Sequence, residues 1–302
     1  PKYQTDCCKF NLERSTDPGQ KMKITKVLTA YATQDGDGVN IRRIPGFDGK
    51  YLDPFLMIDE LKSDDESDYI GGFPPHPHRG IETFTYILKG GFEHKDQMGN
   101  TEAIRAGDVQ WMSTGSGVMH SEMPLADAEQ GLHGFQIWLN MPSADKMREP
   151  QYQDTTEHPA PSFTNQQGIS LKALAGTWQF ESQQLASSLQ NLAANGAIAD
   201  VALPAGKELY LPALKQQKVM IYIHTGSLES AQGEAFDAGK LLIVEPSSDI
   251  CIRAEKAAGV LILAGDPLNQ PIAHMGPFVM TTEAEIRQAV SDYQNGYFGS
   301  LS

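Results

Sequence analysis

The chain reads as an all-β protein made of two similar β-domains, and three observations predict this. Short apolar-alternating runs recur through the first half with turn signals about eight to twelve residues apart, the spacing of sandwiches and barrels. Turn formers are plentiful, with 28 Gly and 18 Pro in 302 residues. The second half also echoes the first. Tyr86-Ile87-Leu88-Lys89-Gly90-Gly91-Phe92-Glu93 matches Tyr222-Ile223-His224-Thr225-Gly226-Ser227-Leu228-Glu229, Gly107-Asp108 matches Gly239-Lys240, and 134–142 parallels 259–267. Three matches in one order indicate a duplicated domain.

Taken in order, residues 1 to 22 lack hydrophobic periodicity and read as an arm. Ile24 to Tyr31 alternates as a first strand, Asp35-Gly36-Asp37-Gly38 is a hairpin turn, and Val39 to Ile44 returns. The apolar segment 52–58 and an acidic loop over 62–69 lead to Phe73-Pro74-Pro75-His76-Pro77-His78-Arg79-Gly80-Ile81-Glu82. Strands are expected at 81–88, between the turns Gly90-Gly91 and Gly99-Asn100, at 109–112, at 118–123 and at 134–140. Residues 142–165 look like a connector, and Leu185, Leu189 and Leu192 recur with helical spacing, predicting a short helix over 182–194. Thr282-Glu283-Ala284-Glu285 is a capping box that opens a C-terminal helix. Ile286, Ala289, Val290 and Tyr293 lie on one face of it, and it stops at Gly296.

Length fits two domains of ordinary size. The formal charge of −14 arises from 38 acidic against 24 basic residues. The bases are scattered, so direct nucleic-acid binding through phosphates is not expected. No run reaches transmembrane length and the polar start lacks an apolar signal core, so no membrane association and a cytoplasmic location are the expectations. Cys7, Cys8 and Cys251 imply no disulfide framework and suit a reduced compartment.

The chemistry concentrates in the histidine stretch. In an extended chain alternate side chains share a face, so His76, His78 and Glu82 can converge, and His120-Ser121-Glu122 repeats the two-residue spacing. Four or five nitrogen and oxygen donors without a thiolate describe a transition-metal site that keeps solvent positions open. His94 and His133 lack such a partner and read as strand-end or rim residues, and Arg79 is expected to pair with a carboxylate. Phe73, Trp111, Met112, Met123 and Phe135 are expected mainly to fill the core. Carrying the repeat back puts Pro212, Leu214 and Lys218 at the positions of His76, His78 and Glu82. Ile252 and Ala254 fall near His120 and Glu122, so the second domain has no ligands of this kind.

Leu52-Asp53-Pro54-Phe55, the histidine stretch, 107–112, His120-Ser121-Glu122-Met123-Pro124, 146–153 and Gly276-Pro277-Phe278-Val279-Met280 together resemble the pirin family, over nearly the whole chain. The resemblance implies a bicupin, two jelly-roll-like β-barrels with one metal in the first. The expected division is an arm over 1–22, a metal-binding barrel over 23–145, a connector with the short helix over 146–195, and a metal-free barrel with the C-terminal helix over 196–302. It also implies the ligand set His76, His78, His120 and Glu122, leaving Glu82 to orient a ligand or accept a substrate proton. The implied ion is Fe(II), with Cu, Ni, Mn, Zn and Co as chemically acceptable substitutes.

Two functions follow from the resemblance. One is a quercetinase-type dioxygenase that opens a flavonol with O2, with Glu122 or Glu82 as the proton acceptor. The other is a regulator whose metal state controls binding to a transcription factor or metabolic enzyme. A monomer is expected in either case.

Overall fold

The computed structural model describes residues 22–230 and 233–301. The fold is mostly β, in two barrel-like domains. The strands of the first half are β1 (Ile24–Thr29), β2 (Tyr31–Asp35), β3 (Val39–Pro45), β4 (Phe55–Ser63), β5 (Phe73–His78) and β6 (Ile81–Lys89). They are followed by β7 (Gly91–Asp96), β8 (Thr101–Arg105), β9 (Val109–Ser113), β10 (Val118–Pro124), β11 (Leu132–Asn140) and β12 (Gln151–Asp154). A seven-stranded sheet in the order β12-β9-β6-β11-β4-β3-β2 faces a four-stranded sheet in the order β5-β10-β7-β8. Val39, Ile41, Leu61, Ile87, Phe92 and Ile104 pack between the two sheets.

Strand parity explains how the domains join. On β6, Thr83, Thr85 and Ile87 turn into the barrel, whereas Phe84 and Tyr86 turn outward and pack against Met220, Tyr222 and Leu261 of the second half. Phe135, Ile137 and Leu139 of β11 do the same. Two reciprocal hydrogen bonds cross this seam: the Tyr86 hydroxyl donates to Asp200 at 2.7 Å and the Tyr222 hydroxyl to Glu60 at 2.7 Å.

The second barrel is built on strands Lys218–Glu229 and Ile250–Gly265, flanked by Lys240–Val244 and Ala197–Leu203. Its interior is apolar, filled by Leu209, Ile221, Ile223, Ile252, Val260 and Ile262 among others. The C-terminal helix α1 (Glu283–Gln294) has the expected capping box between Thr282 and Glu285. Ile286 and Ala289 are buried and pack with Phe278, Met280, Phe298 and Met119 of β10, so the helix returns to the first barrel.

Several expectations change. The run 24–31 is two strands. β1 pairs with Lys240–Val244 and covers an open edge of the second sheet, while β2 pairs with β3 in the first. The helix expected over 182–194 is absent: 177–186 is a hairpin pairing Thr177–Phe180 with Gln183–Ala186, and a single 3-10 turn follows at Ala193–Asn195. The helical spacing of Leu185, Leu189 and Leu192 misled because the three serve different cores, Leu185 the second barrel and the other two the seam. The connector contributes structure to both halves, since β12 joins the first sheet and Ser162–Thr164 the second. Cys251 is disulfide-bonded, contrary to the reduced-cysteine expectation. Cys7 and Cys8, like the rest of the expected arm before Met22, lie outside the described residues.

Candidate metal centre

β5 and β10 are antiparallel neighbours, and their register pairs His76 directly with His120 and His78 with Val118. This brings the three imidazoles together. The ring centroid of His76 is 4.8 Å from that of His78 and 4.3 Å from that of His120, and one ring nitrogen from each lies within 4.8 Å of the others. His78 and His120 are 3% and 0% exposed, while His76 is half-buried and marks the solvent side.

The donor set suits a cation. His76 Nδ1 lies 2.7 Å from the Pro74 carbonyl oxygen, which can only accept, so the proton sits on Nδ1 and Nε2 presents its one lone pair. That nitrogen faces His78 Nε2 at 3.0 Å and His120 Nε2 at 2.8 Å. A single lone pair cannot satisfy two imidazole partners. Burial, reinforced by the neighbouring His76, holds His78 and His120 far below the usual histidine range, so they stay neutral. Three imidazole nitrogens converging on one point could hold one divalent metal ion.

Glu122 follows His120 by two positions and also faces inward, but it is not part of the three-histidine cluster. Its Oε1 accepts from Thr85 Oγ1 at 2.9 Å and Gln110 Nε2 at 3.1 Å, and its Oε2 accepts from Gln136 Nε2 at 2.9 Å. The carboxylate is thus held by donors from three neighbouring strands, next to the cluster.

Glu82 is elsewhere. The chain crosses from one sheet to the other at Arg79-Gly80, where Gly80 has φ +81° and a Cβ would stand 2.1 Å from the Val279 carbonyl oxygen. That crossing breaks the alternation that seemed to align Glu82 with His76 and His78. Glu82 shares the outward face of Phe84 and Tyr86, fully buried, and accepts from Trp111 Nε1 at 3.0 Å, the Ala193 amide at 2.7 Å and Arg148 Nη2 at 3.1 Å. Burial pushes its carboxyl up to about 7, against these donors. It braces the seam between the domains rather than facing the histidines.

His94, expected at a rim, is fully buried. It pairs with Glu122 in the β7–β10 register, contacts Asp96 Oδ2 through Nε2 at 2.8 Å and stacks on Tyr152 at 4.7 Å. His133 bonds to Glu60 at 2.9 Å beside the seam. Arg79 pairs with Asp292 of α1 at 2.8 Å, as its expected carboxylate partner requires, and donates to the Ser116 carbonyl. Trp111 and Phe135 fill the seam, Met112 is buried, Phe73 packs against the core between the two sheets, and Met123 is half-buried.

Sequence reasoning missed Thr85, Gln110 and Gln136, the residues that hold Glu122. The available signal was polar side chains on the inward parity of strands that are otherwise apolar. It also missed Lys146, which is 1% exposed and donates to the carbonyls of Gly80 at 2.8 Å and Val279 at 2.9 Å and to Asn140 Oδ1 at 2.6 Å. This one ammonium ties the crossing after His78 to the end of β11 and to the C-terminal segment, and its burial pushes its pKa down to about 8.

Two barrels in series, one of them with a three-histidine cluster, define a cupin of the two-domain type that could hold a metal. The pirin family model matches residues 39–139 and the pirin C-terminal cupin domain model matches 198–299, so the chain belongs to the pirin family. A Vibrio cholerae protein named "Putative quercetin 2,3-dioxygenase" is 43% identical over 277 residues, covering 91% of this chain and 97% of that one. Human pirin is 34% identical, covering 93% of this chain and 95% of its own. A solved structure of quercetin 2,3-dioxygenase from Acinetobacter baumannii superposes with a TM-score of 0.83 at 28% identity, covering 94% of this chain and 100% of that one. No helix among the described residues is long and apolar enough to cross a membrane.

Proposed function

We propose that this chain is a metal-dependent dioxygenase of the quercetin 2,3-dioxygenase type, acting on a flavonol with O2, with iron(II) as its ion. The observation that carries the reading is the convergence of the His76, His78 and His120 nitrogens beside a carboxylate held inside a barrel. An ion bound there supplies electrophilic activation of the substrate. The protein's own part is positional. Three imidazoles fix the site, Glu122 is the fourth donor and the acceptor for the substrate hydroxyl proton, and Thr85, Gln110 and Gln136 keep its oxygens oriented. Glu82 is left out of the proton path because it lies on the other face of β6. The similarity to proteins named quercetin 2,3-dioxygenase supports the choice of substrate class.

The test is aerobic turnover of quercetin by the iron-loaded protein, followed as loss of flavonol absorbance with release of carbon monoxide. Failure with every divalent metal would refute the enzyme reading.

One observation favours a regulatory reading instead. Arg79, the residue after His78, is bonded to Asp292 on α1, so the ligand strand is mechanically joined to a surface helix. A change in iron charge would then be felt at α1. Amide exchange in 283–294 that is identical in the apo, ferrous and ferric forms would remove that alternative.

A further inference from the structure

The two faces of β11 have the reverse of the usual exposure. Its outward residues Phe135, Ile137 and Leu139 are at most 1% exposed because they lie in the seam between domains. Of its inward residues, Gln136 and Trp138 remain half-buried. A barrel whose interior side chains keep contact with solvent is open at that place. His76 is the one half-buried member of the cluster.

The opening has an aromatic wall. The Trp138 ring meets His78 edge-on, with centroids 5.1 Å apart and planes at 84°. Phe47 stands perpendicular to Trp138 at 6.1 Å, and His274 stacks on Phe47 at 3.9 Å with planes at 6°. The series therefore runs from a metal-site imidazole outward to an exposed residue of the second half. Phe47 has one face covered by His274, and Trp138, packed on one side against Leu56, Ile81 and Val279, stays half-buried beside His78. Two positions along β11, Gln136 supplies the polar counterpart. Its Nε2 is committed to Glu122, but its Oε1 has only a 3.3 Å contact from Thr85 Oγ1, which donates at 2.9 Å to Glu122 instead. That carbonyl oxygen is free to accept from a ligand hydroxyl.

We propose that Trp138 is the stacking platform and Gln136 Oε1 the hydroxyl acceptor for a flat, hydroxylated arene entering beside His76. The assignment rests on the dioxygenase reading for the identity of the arene, a flavonol, and adds the two residues that hold it. Phe47 and His274 buttress the platform from outside. A ring held against Trp138 is brought within reach of the histidine cluster, because Trp138 itself touches His78.

Binding, measured anaerobically so that no turnover intervenes, tests this. Quercetin and a flavone lacking the 3-hydroxyl are titrated into nickel-loaded protein by calorimetry, with the parent, Trp138→Ala, Trp138→Phe and Gln136→Leu compared at equal metal content. Trp138→Ala is expected to weaken both ligands about ten-fold, equivalent to about 1.4 kcal/mol and within the range of aromatic pairs. Trp138→Phe should restore most of the affinity, which a merely structural role for the indole would not predict. Gln136→Leu should weaken quercetin more than the flavone lacking the 3-hydroxyl. Trp138→Ala binding as tightly as the parent, or a parent that binds neither ligand, would overturn the proposal. A parent that binds both ligands through Trp138 yet turns over neither with iron would leave the platform standing and refute the dioxygenase reading alone.

Discussion

In the first barrel the inward positions of β6 are Thr83, Thr85 and Ile87; the repeat places Val219, Ile221 and Ile223 at the same positions in the second. The registers extend the comparison to the ligands. His76 pairs with His120 as Leu209 pairs with Ile252, and His78 pairs with Val118 as Leu211 pairs with Ile250. The structural counterparts of the first histidine pair are therefore Leu209 and Leu211, three residues before the Pro212 and Leu214 that sequence offset alone suggests. The register makes Ala254 the counterpart of Glu122, as expected from the sequence. Leu209, Leu211, Ile252 and Ala254 are all at most 3% exposed in the apolar interior. One framework thus has two interiors, one carrying histidines, Glu122 and its polar partners beside an apolar cluster, the other apolar. The second is a stabilising partner for the first, joined to it through the seam around Tyr86 and Tyr222.

The comparison breaks most visibly at the ligands. His78→Ala should lower metal affinity by more than the about ten- to hundred-fold typical of residues that only support a ligand. Its counterpart Leu211→Ala should leave metal content intact and cost about 2–5 kcal/mol of stability, the range for emptying a core site. Elemental analysis and denaturant unfolding of both variants check the pair. Metal loss in Leu211→Ala would mean that the second barrel does more than support.

A subtler exchange swaps interior chemistry. Thr85→Val keeps the volume but removes a donor from Glu122, so metal affinity or turnover should fall about ten-fold with little loss of stability. Ile221→Thr places a hydroxyl among apolar neighbours and should destabilise by about 1–3 kcal/mol without touching the metal.

The two glutamates separate the site from the seam. Glu122→Gln is expected to lose much of the metal and Glu82→Gln to keep most of it, as measured by metal content after dialysis. Equal losses would return Glu82 to the site.

The smallest effect is in pH. The folded chain holds the Glu82 proton up to about 7 against an ordinary 4.5, so between those values it binds more protons than the unfolded chain and stability falls as pH rises. The ceiling on that loss is about 3 kcal/mol. Glu82→Gln should flatten the decline relative to the parent when urea midpoints are compared at pH 5 and pH 8. A decline as steep as the parent's would show that Glu82 is not its source.

The sequence by itself determined the all-β class, the duplication, the capped C-terminal helix and the paired spacing of the candidate ligands within each strand, because each is written in the order and spacing of residues along the chain. Alternation fixes which side chains share a face within one strand, and a capping box closes over four residues. Tertiary structure decided whatever depends on where one strand ends and the next sheet begins. The crossing at Gly80 sent Glu82 to the seam. The open edge of the second sheet took β1 from the first half. Leu185, Leu189 and Leu192, evenly spaced as in a helix, were divided between two cores. The support of Glu122 by Thr85, Gln110 and Gln136 was likewise invisible in one dimension, since hydrogen bonds between β6, β9, β10 and β11 depend on strand order and register, which no local pattern encodes.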